Sequence, residues 1–234
     1  TLLLNLLGTP DDDFPYSVEV SDDGSIYIIG ETSGDLNGEI NNGDEDAFLI
    51  KLDSDGNEIW TKLFGTPYSD RPFFSHIDND GNILLGGETA GNLNGEINNG
   101  IIEENGESLD SKDGFLIKVD PDGNEIWTKL FGREGEDELN SAVTSNDGSI
   151  YITGETGIGY FVDSSERYIG IQDGFVAKLD SNGNKIWESF VGTGFLDIQD
   201  SEELENLNFS SANSYAIDID DDGFIYTAGA TNLN

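Results

Sequence analysis

The sequence predicts an all-β fold built from repeated four-stranded antiparallel meanders, and three observations support this prediction. One block that ends in a Trp-containing strand and a glycine occurs three times with few changes, at 46–66, 113–133 and 173–193. A shorter block that begins with Asp-Gly occurs four times, at 23–32, 80–89, 147–156 and 222–231. Asp-Gly or Asn-Gly pairs join the short apolar runs, and these pairs are a strong hairpin signal because glycine adopts the positive φ of a tight turn.

The second repeat shows how each element follows from this pattern. A first strand at 73–78 turns at an Asp-Gly pair and returns as a second strand at 82–87. After a loop, a third strand at 115–119 turns at another Asp-Gly pair and returns as a fourth strand at 125–131. Each repeat is therefore predicted to form one four-stranded meander.

The third strand of a repeat carries apolar residues on both of its faces. Phe48, Ile50 and Leu52 alternate with Ala47 and Leu49. A sheet buried on both faces and repeated along the chain is typical of a β-propeller blade packed between neighbouring blades. A β-sandwich is the structural alternative, but it does not explain near-identical repeats.

The repeats predict a single β-propeller region over residues 1–234. The approximate units are 1–9 (the last strand of a preceding blade), 10–66, 67–133, 134–193 and 194–234 (a partial blade). We therefore expect an incomplete part of a larger propeller. The alternative is a four-bladed ring closed by the first strand, but its last blade would lack one strand.

The run DGFLIKVDPDGNEIWTKLFG at 113–132, with GSIYITGET at 148–156, resembles the bacterial SBBP repeat family of β-propellers. This resemblance implies about seven blades and a large secreted or cell-surface protein. We therefore expect an extracellular or cell-surface location. The resemblance carries little information about activity, because propellers host many unrelated functions.

The charge composition excludes several classes of function. Acidic residues number 48 and basic residues 10, so the formal net charge is −38. Nucleic acid is excluded as a partner because phosphate contacts need clustered Lys and Arg, and no apolar run is long enough for membrane insertion. The chain has no cysteine and one histidine, which excludes disulfides, thiolate zinc sites and multi-histidine metal centres. Oligomeric state is not predicted.

Connections of very different length are expected to gather at one end of the blades. In a meander the short Asp-Gly turns share one rim (the turn rim), and the opposite rim (the loop rim) carries the second-to-third loops and the links between blades. The loop-rim connections are 33–45, 90–112, 157–172 and 194–212. Binding residues concentrate in such loops. One loop sequence, LNGEINNG, occurs unchanged at 36–43 and 93–100, which indicates either a required geometry or a recent duplication.

Calcium is the cofactor that the acidic residues favour, because hard cations bind clustered carboxylate oxygens. Three candidate sets are Asp218, Asp220 and Asp222, spaced as in a calcium-binding loop; Glu31 with Asp46, at the ends of adjacent strands; and Glu39, Asp44 and Asp46 in one acidic loop. The Asp-Gly turn at 53–56 fails as an EF-hand loop, because Lys51 and Lys62 occupy its first and twelfth positions. Such turns are interpreted as structural.

The remaining chemistry-bearing residues are given structural roles. Trp60, Trp127 and Trp187 recur at one repeat position and are expected to pack on the next blade. His76 lies on a first strand without a fixed partner, which favours an ordinary strand residue over a catalytic one.

These observations favour a non-enzymatic propeller that presents loops to an extracellular protein or glycan and is stabilised by calcium. No catalytic residue is predicted. One alternative is a carboxylate-based polysaccharide hydrolase or lyase, which requires one blade whose acids depart from the repeat pattern. The other is a purely structural spacer in a large surface protein.

Overall fold

The computed structural model describes residues 7–99, 112–133, 135–161, 168–191, 211–220 and 222–232. Within these ranges every regular element is a β-strand, which confirms the all-β prediction. Among the described residues there is no helix with the length and hydrophobicity needed to cross a bilayer.

In the described part of the chain, fourteen strands form three four-stranded sheets and one hairpin. Blade 1 contains β1 (Asp13–Val20), β2 (Ile26–Thr32), β3 (Asp46–Leu52) and β4 (Glu58–Phe64). Blade 2 contains β5 (Asp70–Ile77), β6 (Ile83–Thr89), β7 (Asp113–Val119) and β8 (Glu125–Phe131). Blade 3 contains β9 (Asp137–Thr144), β10 (Ile150–Phe161), β11 (Tyr168–Leu179) and β12 (Lys185–Val191), and the last hairpin contains β13 (Ser211–Ile219) and β14 (Ile225–Asn232).

Each four-stranded sheet is an open antiparallel meander, because its strands are hydrogen-bonded in sequence order. The first strands of successive blades contact each other, as do β9 and β13. This arrangement matches propeller blades whose first strands lie innermost. The strands of blade 2 extend farther toward the loop rim than predicted, because Asp70, Thr89 and Asp113 still pair across the sheet there.

The hydrophobic core lies between the blades. Blades 1 and 2 enclose one cluster that includes Leu49, Leu85 and Ile117, and blades 2 and 3 enclose a second that includes Leu116 and Ile152. Every residue of β3 and β7 is buried. The two-sided burial predicted from the sequence is therefore confirmed.

The turn-rim aspartates cap their hairpins. Asp53 Oδ1 accepts hydrogen bonds from the N–H groups of Asp55 (2.9 Å) and Asn57 (2.8 Å), and Gly56 has a φ of 79°. Equivalent bonds to the first turn residue recur at Asp78, Asp120, Asp180 and Asp220. These bonds support the structural interpretation of the Asp-Gly turn at 53–56.

Two tryptophans connect neighbouring blades through the same contact. The indole N–H of Trp60 donates to the carbonyl of Pro121, and that of Trp127 donates to the carbonyl of Ser181, both at 3.3 Å. Each acceptor lies in the third-to-fourth turn of the next blade. Trp187 packs on Tyr151 of its own blade and is 40% exposed.

Candidate functional site

A row of polar side chains crosses each blade at the loop rim. In blade 2, Asp70 lies opposite Thr89 and Thr89 lies opposite Asp113, and all three side chains are buried. The same positions are occupied by Asp13, Thr32 and Asp46 in blade 1 and by Asp137, Thr156 and Asp173 in blade 3. We call this feature the Asp-Thr-Asp row. In the last hairpin Ala212 lies opposite Thr231, so an alanine stands where the other units have the first aspartate of the row.

A glycine makes room for the third member of the row. A Cβ added to Gly65 would lie 2.1 Å from Asp46 Oδ1, and one added to Gly132 would lie 2.1 Å from Asp113 Oδ1. Real Cβ atoms are never so close to an oxygen. The glycines that end the first two long sequence blocks, Gly65 and Gly132, are therefore required by the carboxylates beside them.

The first aspartate of the row fixes the link between blades. The backbone N–H and the hydroxyl of Thr66 both donate to Asp70 Oδ2, at 2.5 and 2.9 Å, and the Thr89 hydroxyl donates to Asp70 Oδ1. The N–H of Asp70 in turn donates to the carbonyl of Glu45 in blade 1 at 2.7 Å. The segment that links blade 1 to blade 2 is therefore hydrogen-bonded to both blades.

Burial raises the pKa values of aspartates in the Asp-Thr-Asp row. It raises the pKa of Asp70 to about 6 against opposing hydrogen bonds from Thr89 and Thr66, and the nearby charge of Asp46 adds to the rise. Burial also raises the pKa of Asp137 to about 6, and Asp113 contributes in the same sense. These carboxyl groups hold protons at pH values where ordinary aspartates are ionised.

The repeated LNGEINNG loop has the same anchor at its start in both copies. Leu36 and Leu93 are buried in the core clusters. The next residues, Asn37 and Asn94, have φ values of 52° and 50°. Their amide groups donate to the carboxylate of the first residue of the fourth strand, Glu58 at 2.9 Å or Glu125 at 2.8 Å, and to a threonine hydroxyl on the same strand.

The end of this loop binds the Asp-Thr-Asp row. The N–H of Asn42 donates to Asp46 Oδ2 at 3.0 Å, and the N–H of Asn99 donates to Asp113 Oδ2 at 2.9 Å. Because each polar contact recurs in both copies, a required geometry is sufficient to account for the repeated sequence.

The structure separates the members of one calcium candidate. Asp46 lies opposite Thr32, whereas Glu31 lies opposite Ala47. Residues directly opposite each other project from the same face of a sheet, so Glu31 and Asp46 project from opposite faces. Glu31 and Asp46 thus lie at the ends of adjacent strands, as predicted, but on opposite faces of the sheet.

Two of the three candidate carboxylates in the acidic loop already have protein partners. Glu39 forms an ion pair with Lys62 at 3.2 Å, and Asp46 accepts the bonds from the repeated loop; Asp44 is exposed beside them. In the part of the chain that the structure describes, no three His, Cys, Asp or Glu side chains gather as a metal-binding group.

The last candidate set lies in the β13–β14 hairpin. Asp220 is the capping aspartate of this turn: its Oδ1 accepts the N–H groups of Asp222 and Phe224, and its Oδ2 accepts the Tyr226 hydroxyl at 2.8 Å. Asp218 accepts the N–H of the residue that follows it. Both oxygens of Asp220 are thus used within the hairpin.

A glutamate at the end of each second strand meets a different partner in each blade. Arg71 lies 3.4 Å from Glu31 and 3.5 Å from Glu45, and Lys112 lies 2.7 Å from Glu88. In blade 3 the equivalent residue, Glu155, lies opposite a second glutamate.

This glutamate pair, Glu138 and Glu155, departs from the repeat pattern. Blade 2 has Arg71 where blade 3 has Glu138. Burial, followed by the charge of Glu138 and a hydrogen bond to it, raises the pKa of Glu155 to about 7, and burial raises that of Glu138 as well. Two such carboxyl groups share a proton near neutral pH. Sequence reasoning missed Glu138, although aligning 71 with 138 would have shown the reversed charge.

His76 links the first strands of two blades. Its Nε2 accepts the N–H of Thr144 at 3.2 Å and lies 2.9 Å from the hydroxyl of the same residue. Burial lowers its pKa. These contacts give it a structural role between β5 and β9.

Two curated proteins resemble this chain over part of their length, and no family model matches it. The regulatory protein FlaEY of Caulobacter vibrioides is 29% identical over 140 residues, which cover 57% of this chain and 14% of the relative. The uncharacterized WD repeat-containing protein L264 of Acanthamoeba polyphaga mimivirus is 26% identical over 168 residues, which cover 64% of this chain and 12% of the relative. The chain thus spans a small part of both relatives.

The WD-repeat relative agrees with the four-stranded meanders seen in the structure. The chain has a repeat, propeller-like architecture. Membership of the narrower SBBP family is not confirmed by these similarities.

Proposed function

We propose that this propeller, of the SBBP type, is a non-enzymatic extracellular or cell-surface scaffold that binds protein or glycan through its loop rim. The observation that supports the proposal is that the polar row at the loop rim is constant among the blades, whereas the connection beyond it varies. The Asp-Thr-Asp row is the same in all three blades, whereas the connection beyond it is the anchored LNGEINNG loop in blade 1 and an extension of β10 and β11 in blade 3. Rigid frames with variable loops are the usual design of binding scaffolds.

Binding is tested with the intact chain on a glycan array and against purified extracellular proteins. Asp44 is exposed at the loop rim and Asp55 is exposed at the turn rim, so Asp44→Lys and Asp55→Lys form a matched pair of charge reversals. We expect Asp44→Lys to weaken binding and Asp55→Lys to leave it unchanged. Equal effects of the two variants, or repeated failure to find any ligand, would favour the structural spacer instead.

Calcium is proposed as a stabilising ion, with Asp218, Asp220, Asp222, Glu39, Asp44 and Asp46 as the carboxylates that the sequence offers. The support is electrostatic, because a chain with a net charge of −38 gains from bound divalent cations. We expect millimolar calcium to raise the melting temperature more than sodium chloride of equal ionic strength. An unchanged midpoint would remove calcium from the proposal.

One observation favours a second candidate, a polysaccharide hydrolase or lyase. The Glu138–Glu155 pair supplies what a carboxylate enzyme needs, one protonated acid beside a second carboxylate. Turnover on a glycan panel that is lost in Glu155→Gln and retained in Glu88→Gln, the same position in blade 2, would support it. Absence of turnover on the panel leaves the scaffold as the proposed function.

A further inference from the structure

A cavity of about 330 Å³ lies between blades 2 and 3. Its apolar wall includes Phe131 at the end of β8 and Phe175 on β11, and its polar lining includes Asp137 and Thr156 of the Asp-Thr-Asp row. Pockets of this size hold small ligands such as one or two sugar units.

The sequence LNGEINNG, which follows the second strand in blades 1 and 2, is not repeated in blade 3. At the junction of blades 1 and 2 the equivalents of Phe131 and Phe175 are Phe64 and Phe115, and Leu93 of the loop packs into the same core cluster with them. In blade 3 the strands β10 and β11 pair directly with each other from Ile150 to Phe161 instead.

Two buried oxygens that face each other at this junction are not joined by a close hydrogen bond. They are Asp137 Oδ1 and Thr156 Oγ1, on residues that are 2% and 4% exposed. In blade 2 the Thr89 and Thr66 hydroxyls both donate to Asp70, whereas Asp13 Oδ1 in blade 1 lacks a close partner as Asp137 Oδ1 does. Buried polar atoms without partners are rare in native proteins and point to an absent ligand or water.

One substitution in the repeat changes this junction. Arg133 occupies the position of Thr66, so Asp137 receives the backbone N–H of the link, at 2.8 Å, without the accompanying hydroxyl. The guanidinium of Arg133 lies instead 4.6 Å from the centroid of the Phe190 ring and 3.2 Å from Glu188.

The lining contains both cations and carboxyl groups, with Asp137 and Glu188 among the latter. Lys129, Arg133 and Lys185 all border the cavity, and they are three of only 10 basic residues in a protein of net charge −38. Lys185 and Arg133 share the same oxygen of Glu188, at 3.1 and 3.2 Å. Lys129 is paired with Glu96 at 2.8 Å, so each of the three cations already contacts a carboxylate, and a ligand carboxylate would take the place of a glutamate.

We propose that this cavity binds an acidic sugar unit, a uronic acid, of a glycan. The basic side chains face the sugar carboxylate, Asp137 and Thr156 receive hydrogen bonds from its hydroxyl groups, and the two phenylalanines contact its apolar face. This inference rests on the proposed binding function and names its ligand class and its place.

The probe is trigalacturonate, measured by titration calorimetry and ligand-observed NMR on the intact chain, with maltotriose as the neutral control. We expect binding of the acidic trisaccharide alone. Arg133→Thr, which installs the residue of blade 1, is expected to weaken it roughly tenfold or more, because charge-assisted hydrogen bonds are lost. Asp137→Asn tests the hydroxyl contacts in the same assay.

Asp70→Asn at the junction of blades 1 and 2 is the matched control and should leave the affinity unchanged. If Asp137→Asn does not fold, as judged by its thermal melt, Arg133→Thr and Lys185→Ala still decide the question. Equal binding of maltotriose, no binding of trigalacturonate, or binding that Arg133→Thr leaves intact would each overturn the inference. If one of these results overturns the inference but the glycan array identifies another ligand, the proposed scaffold function still holds.

Discussion

At the scale of single residues, position in the blade decides what an aspartate does. The exposed turn aspartates Asp23 and Asp147 accept hydrogen bonds from serine side chains and N–H groups, which lower their pKa values to about 2. The row aspartates Asp70 and Asp137 are buried, and their pKa values rise to about 6. One residue type thus stabilises the fold through ionisation at one rim and through protonation at the other.

The raised pKa values predict that the protein is more stable near pH 5 than near pH 7.5. Between their unfolded values, near 4, and their folded values of about 6 to 7, Asp70, Asp137 and Glu155 bind more protons in the folded chain. The free energy of unfolding therefore falls as pH rises through this window. Below about pH 4 the turn aspartates reverse the trend, because protonation removes their favourable charge.

Urea unfolding at pH 5.0 and 7.5 measures this difference directly. Glu155→Gln removes the group with the highest of these values, so it should flatten the dependence between pH 5 and 7.5. Stability that increases steadily from pH 5 to 7.5 in the native chain would contradict the assignment of protonated carboxyl groups.

The glycine beside the row gives a second prediction at this scale. Gly65→Ala is expected to destabilise the chain by about 1–3 kcal/mol, because the new methyl group overlaps the Asp46 carboxylate. The same change should cost less in an Asp46→Ala background, where that oxygen is absent. Additive effects of the two substitutions in a double-mutant cycle would show that the two residues do not interact.

At the scale of elements, the LNGEINNG loop behaves as part of the core. Leu93→Ala is expected to cost about 2–5 kcal/mol, because it opens a cavity between blades 1 and 2. Ile97→Ala in the same loop is the control, since Ile97 is 71% exposed and its loss should change the free energy of unfolding by less than about 0.5 kcal/mol. Equal losses for the two variants would show that the loop does not pack between the blades.

Strands and turns were predictable from the sequence because their signals are local. The turn residues from Asp53 to Gly56 contain both the capping carboxylate and the glycine with positive φ. The pattern of apolar residues likewise showed that β3 and β7 are buried on both faces. Each inference needed only residues that are close in the chain.

The site chemistry was not predictable to the same degree because it depends on register between strands. A shift of one residue moves a side chain to the other face of a sheet, and spacing along the chain could not show that Glu31 and Asp46 lie on different faces. The Glu138–Glu155 pair requires the register of β9 against β10, and the cavity requires knowing which core cluster Leu93 enters. None of these facts follows from spacing along the chain.

At the scale of the whole molecule, the dominant quantity is the net charge of −38. Few cations oppose it, and some of these are committed to fixed partners, such as Lys118, which lies 2.7 Å from Asp78 in a buried ion pair. The remaining carboxylates repel one another across the surface, which destabilises the compact state.

This repulsion predicts that simple salt stabilises the protein. Raising sodium chloride from about 10 mM to about 500 mM shortens the Debye length from about 30 Å to a few ångströms and should raise the melting temperature by several degrees. Glu155→Gln and the native chain should show parallel rises, because the effect belongs to the surface as a whole. A melting temperature that falls with salt would show that attractive ion pairs outweigh the repulsion.

The strands β4 and β8 have the identical sequence EIWTKLF. Each therefore satisfies the hydrogen-bonding partners and the packing of the other's position, and a folding chain has no local means of telling them apart. Misfolded species in which β4 takes the position of β8, or β8 that of β4, should therefore compete with native folding during renaturation. The exchange can occur within one molecule or between two molecules. Yield on dilution from denaturant would then fall steeply with protein concentration, even though the finished fold is stable.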